Sequence, residues 1–146
     1  MSTAVRLLTY DDLCQTPDDG NRYEIIGGEL IVSPSPNLSH QDVLGYLHGT
    51  LWSYLQSHPI GKVVLAPFDV RLSPHDIVEP DMLFIRQDRL DLLESGRYAM
   101  GSPDLVVEVI SPSSHKTEPV IGSLPSAPPR VRRRGPYRPR RAGAWP

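Results

Sequence analysis

The chain has 146 residues, room for one domain, and its 39% hydrophobic and 22% charged residues are compatible with a packed core. No run approaches the roughly 18 consecutive apolar residues of a membrane span, and Met1 to Tyr10 has no apolar stretch of signal-peptide type. A single cysteine, Cys14, excludes an internal disulfide and a thiolate metal cluster, which points to a reducing, cytoplasmic setting.

The formal net charge of −2 conceals a split. The 28 residues after Glu118 hold seven Arg and seven Pro with no Asp, Glu or Lys, whereas the first 118 set eight basic residues against all 17 acids, a net of −9. Two parts follow: an acidic globular domain over 1–118 and an Arg/Pro-rich tail over 119–146.

In chain order, Thr9 with Asp11 and Asp12 reads as a short capped helix start. Asp18-Asp19-Gly20-Asn21 is turn chemistry, and the β-rich runs Arg22 to Ile26 and Glu29 to Val32 around Gly27-Gly28 read as a hairpin. Ser33-Pro34-Ser35-Pro36-Asn37 ends it. From Leu38 to Ser57 the period changes: Val43, Leu44, Leu47, Leu51, Tyr54 and Leu55 form one apolar helical face, stopped by His58-Pro59 and Gly61. Lys62 to Leu72 reads as a long strand interrupted at Pro67, Ile77 to Arg86 as another, Asp88 to Glu94 as a helical turn, and Asp104 to Ile110 as a short apolar strand. This order predicts an α/β (α+β) domain with a mixed sheet.

Most acids sit in turns or first helical turns; two do not. Asp81 stands at the mouth of Met82-Leu83-Phe84-Ile85, and Glu108 lies inside Leu105-Val106-Val107-Glu108-Val109-Ile110. Period two puts Glu108 on the face of Val106 and Ile110, opposite Leu105, Val107 and Val109. A carboxylate in such a strand must protonate, pair with a cation, or bind a metal. Two carboxylates on adjacent strands repel each other unless neutralised, and oxygen ligands suit Mg²⁺ or Mn²⁺. Pairing of Glu108 with an Arg or Lys across the sheet, or an exposed face, stands as the alternative.

Tyr23-Glu24-Ile25-Ile26-Gly27-Gly28-Glu29-Leu30, then Ser33-Pro34-Ser35-Pro36 and His40-Gln41, together with Ala66-Pro67-Phe68-Asp69-Val70, Glu79-Pro80-Asp81 and the block Gly101 to Ser114, resemble the Uma2 family (DUF820) of the PD-(D/E)XK nuclease superfamily. The resemblance runs from about Leu8 to about Lys116. It implies a restriction-endonuclease-like fold with flanking helices, and metal-dependent hydrolysis of DNA phosphodiesters. Asp81 matches the superfamily's first acid and Glu108 its second, and both would bind Mg²⁺ or Mn²⁺. Glu24 matches an acid that would complete the site, with a cross-strand pair to Arg22 or Lys62 as the alternative. His40 falls at the family's His-Gln position, with a local hydrogen bond at the helix N-terminus as its alternative; Asp69 is read as bracing a turn. DNA is the implied partner and a homodimer a further expectation, since nucleases that cut both strands are commonly dimeric.

The pattern also departs from the family. The superfamily's lysine, two residues after the second acid, is Ile110 here, and the family's alternative Lys-bearing helix and its last Tyr-Trp strand are missing; Lys116 is the only lysine after Glu108. Seven prolines keep 119–146 from forming that helix, so the tail is expected to be disordered. It reads as a cationic arm on nucleic acid, as a solubilising end, or as a frameshift, because GC-rich DNA read out of frame yields Arg, Pro, Gly and Ala. On the frameshift reading the C-terminal part of the domain is missing, the Leu105 to Ile110 strand has a bare edge, and the nuclease's activity is doubtful. The competing function is a non-catalytic nuclease fold that binds nucleic acid or a protein.

Overall fold

Gly27 and Gly28 both take left-handed backbone angles (φ 60° and 79°), which lets a two-residue turn join β1 (Arg22–Ile26) and β2 (Glu29–Ser33) with Ile26 opposite Glu29. The hairpin expected around the Gly pair is therefore found. The computed structural model describes residues 6–110 and, as backbone, residues 130–134. Ahead of the hairpin, Thr9 caps the one-turn helix α1 (Tyr10–Leu13), and the Asp12 carboxylate accepts the Thr9 backbone N–H at 2.8 Å.

Asn37 caps α2 (Leu38–Ser57), its side chain accepting the His40 backbone N–H at 3.0 Å, and the helix has the predicted bounds. Its apolar stripe of Val43, Leu44, Leu47, Leu51 and Leu55 packs on Val63, Met82, Val107 and Val109.

The two long strands expected after α2 each break in two. The first becomes β3 (Gly61–Leu65) and β4 (Asp69–Ser73), and the second β5 (Asp76–Val78) and β6 (Met82–Arg86). The breaks fall at Pro67 and Pro80, residues that cannot donate to a ladder, and at each the chain changes sheet. A 3₁₀ segment (Gln87–Leu93) follows, then β7 (Tyr98–Met100), which the sequence reading left out, and β8 (Leu105–Ile110).

One sheet has the order β2-β1-β5-β4-β7 and is mixed, since β4 and β7 run parallel. The other has the order β3-β6-β8-β9, where β9 is Arg130–Arg134. Helix α2 covers the outer face of the second sheet; Leu83 and Ile85 on its inner face meet Val70 and Ala99 of the first. The class is the expected mixture of strands and few helices.

The tail requires one correction. The expectation of disorder across 119–146 does not hold for five residues, because β9 pairs antiparallel with β8, Glu108 opposite Arg132 and Val109 opposite Val131. The physical reason is that a free sheet edge pairs through main-chain groups, and no proline falls within 130–134. The edge of β8 expected to be bare is therefore occupied. Residues 119–129 and 135–146 lie outside the described residues, as does Lys116.

Ile25 and Ile77, both fully buried, oppose each other across β1 and β5 and hold the hairpin to the rest of its sheet. Ile77→Ala is expected to lower the unfolding free energy by about 2–4 kcal/mol, read by denaturant titration.

Candidate active site

Asp81 follows Pro80 and immediately precedes β6. Continuing the β6–β8 register one step past Met82 and Val107 sets it opposite Glu108. The pleat then turns it, like Leu83 and Ile85, toward the other sheet. It is 1% exposed, the most deeply buried charged residue described.

Three elements satisfy that carboxylate. Its Oδ2 accepts the Val109 backbone N–H at 2.7 Å and lies 3.0 Å from Nε2 of His40, carried on the first turn of α2. Its Oδ1 accepts a short hydrogen bond from Nη2 of Arg22 on β1. Burial pushes the Asp81 carboxyl up, but the hydrogen bonds from Arg22 and Val109 and the charge of Arg22 and His40 outweigh it. The carboxyl is held below its ordinary range. Nδ1 of His40 is buried with no hydrogen-bond partner among the described residues.

Arg22 is the residue that the sequence reading did not place in the site. Its guanidinium spans three acids: Asp81, Glu79 at 3.5 Å from Nε, and Glu108 at 3.8 Å from Nη1. The alternative reading gives Glu108 an Arg or Lys across its own sheet; the arginine it meets comes from the facing sheet instead. Alternation on β1 puts Arg22 and Glu24 on one face, a signal legible in Arg22-Tyr23-Glu24 once that face is known to look inward.

Glu24 makes neither of the expected side-chain pairs as its main contact; its Oε1 accepts the backbone N–H of Glu79 at 2.8 Å. His40 has its backbone N–H capped by Asn37 at the helix N-terminus, and its side chain is turned onto Asp81. Asp69, read as bracing a turn, opens β4 and joins the same acidic group. Burial and then the charge of Glu24 push its carboxyl up to about 6. Burial also raises Glu24 and Glu79, against the opposing influence of Arg22. Glu108 is raised to about 7, by burial first and then by the neighbouring charge of Asp81, with Arg22 opposing. Its side chain is 34% exposed against 2% for Asp81, so of that pair it is Glu108 that solvent reaches.

The chemistry of the donors fits a hard divalent cation: Asp81 and Glu108 supply oxygen ligands whose mutual repulsion such an ion relieves. The geometry puts Arg22 across the two carboxylates, and no three His, Cys, Asp or Glu side chains among the described residues are grouped closely enough to hold a metal ion by themselves. A cation at this site therefore competes with, or displaces, the guanidinium.

Residues 8–119 match the family Uma2, described as a putative restriction endonuclease. The chain belongs to the Uma2 family. Among solved structures, it is similar to a protein from Anabaena variabilis ATCC 29413 described as a putative nuclease belonging to DUF820. The TM-score is 0.60 and the identity 22%, over 75% of this chain and 62% of that one. The match shows a shared fold, and the chain spans less than two thirds of that protein's length. No curated protein matches.

Two predictions follow from the charge arrangement. Arg22→Met leaves the buried Asp81 charge without its main partner and is expected to destabilise the fold by about 3–5 kcal/mol at pH 7; the double variant with Asp81→Asn should recover part of this in a denaturant-unfolding cycle. For Asp69 the folded state favours the neutral acid. The unfolded chain therefore releases its proton first, and stability falls as pH rises from about 4 toward 6. Asp69→Asn should raise the melting temperature at pH 7.5 and leave it nearly unchanged at pH 4, read by calorimetry.

Proposed function

We propose that this Uma2-family chain is a metal-dependent nuclease site for DNA phosphodiesters, built on Asp81 and Glu108. The observation that carries the reading is their juxtaposition. Residues 27 apart in sequence meet at one end of β6 and β8, one deeply buried and one open to solvent. Mg²⁺ or Mn²⁺ held by the two carboxylates would polarise the scissile phosphate and favour attack by water.

The chain's own residues define the rest of the site. Asp81 is positioned rigidly by Val109, His40 and Arg22, so it anchors the site. Glu108, the more exposed of the two carboxylates, would complete the cation's oxygen pair on the side that water reaches. Arg22 brings a positive charge to these acids, where position 110 has isoleucine in place of the superfamily's lysine; moved aside by a bound cation, it would still stand close enough to stabilise charge that develops on the phosphate. Glu24 orders the Glu79 segment that leads into Asp81.

A second reading is supported by the same contacts. Both oxygens of Asp81 are already hydrogen-bonded without a metal, which suits a fold that binds its partner without cutting it. Nicking of supercoiled plasmid DNA across a series of Mg²⁺ and Mn²⁺ concentrations separates the two. The nuclease reading expects metal-dependent nicking that falls at least a hundredfold in Asp81→Asn and in Glu108→Gln, with chelator abolishing it. Cleavage that survives Asp81→Asn rejects the assignment, and salt-dependent DNA binding with no cleavage at any metal concentration selects the binding fold.

A further inference from the structure

The outer edge of β2 is the least protected strand edge among the described residues. Leu30 and Ile31 are each 40% exposed and Val32 is 52% exposed, so apolar side chains stand in solvent on both faces of the strand. The residues Glu29 to Ser33 contain no lysine, no proline and no bulge, the usual devices that keep an edge from pairing. By contrast, β3, at the edge of the other sheet, carries Lys62, and β7 is three residues long. Among the described residues β2 pairs with β1 alone, and just past Ser33 the Ser35 hydroxyl donates to the carbonyl of Gly20, on the β1 side.

We infer that β2 is a dimerisation edge, on which a second copy of this chain adds its own β2 antiparallel. The hairpin register determines which main-chain groups are available. With Ile26 and Glu29 closing a two-residue turn, Glu29, Ile31 and Ser33 exchange hydrogen bonds with β1. The N–H and C=O groups of Leu30 and Val32 therefore point outward. A two-fold axis through Ile31 pairs Leu30 of each copy with Val32 of the other through four main-chain hydrogen bonds. Ile31 then faces its own copy as a non-hydrogen-bonded pair.

The side chains agree with that register. Apolar residues meet apolar residues at the three central positions, and the only charge, Glu29, falls opposite Ser33, so no like charges are opposed. The exposed strand is self-complementary, as an isologous interface requires.

The axis stands perpendicular to the sheet, so equivalent faces of the two copies point the same way. Glu24 lies directly across from Ile31 and shares its face. Three strand spacings therefore separate the Glu24 Cα atoms of the two copies by about 14 Å, with both sites opening to one side. For a nuclease, and resting on that reading, this places two acid groups where one duplex can meet both; the dimer itself does not depend on it.

The test uses the full chain. One strand pair is a small interface, so sedimentation equilibrium is expected to show a dimer with a dissociation constant on the order of 10 µM. Val32→Pro removes an outward N–H from each copy while sparing the β1–β2 ladder, and should weaken the dimer at least tenfold with the fold retained by circular dichroism. In a Cys14→Ser background, Ile31→Cys should form an intermolecular disulfide on mild oxidation. Leu30→Cys should not, because its symmetry mate lies a diagonal step away. A chain that stays monomeric at about 200 µM overturns the inference. So does a dimer that Val32→Pro leaves intact, or cross-linking at Leu30→Cys in place of Ile31→Cys. None of these readouts involves cleavage, so failure here and failure of the nuclease assignment are distinguishable.

Discussion

Everything at the centre of this molecule depends on one guanidinium among carboxylates. Arg22 is the cation that touches Asp81, Glu79 and Glu108, and it reaches them from β1, the middle of the hairpin side of the fold. Without it, acids from β1, β4, the Pro80 turn and β8 could not approach so closely in a low-dielectric interior, because burial and mutual repulsion already push most of them toward the neutral form. The arrangement ties the two sheets together by charge. It also divides labour: Asp81 is ionised, buried and held by three partners, while Glu108 is raised and open to solvent.

Two prolines give the site its shape. Pro67 and Pro80 stop strands that would otherwise run on, and each break hands the chain from one sheet to the other. The second break puts Asp81 between the sheets, with its side chain aimed at Arg22 and His40 and its main-chain carbonyl held by Ala66.

The ends of the two sheets are managed differently. The β8 edge, expected to be bare, carries β9, whose pairing is main-chain in origin and indifferent to the arginines that build it. The β2 edge has only β1 on its inner side and shows apolar residues outward. Sheet edges without lysine, proline or a bulge are open to further strands.

From sequence alone, the hairpin and the long helix were legible because their signals are local: a Gly pair between β-rich runs, and an apolar stripe at helical period bounded by Asn37 and His58-Pro59. Asp81 and Glu108 could be singled out because a carboxylate in an apolar strand is chemically out of place. The class of fold and the family followed from the same motifs. Only the tertiary structure decided the rest. Arg22 reads locally as a hairpin residue that could pair with Glu24, and it meets Asp81 and Glu108 only when β1 packs beside the Pro80 turn. Division of the strands into two sheets, the turn of His40 onto Asp81, and the placing of Arg130–Arg134 beside β8 all rest on contacts between residues far apart in the chain. Periodicity reports which face of an element is apolar; it carries no information about which element that face will meet.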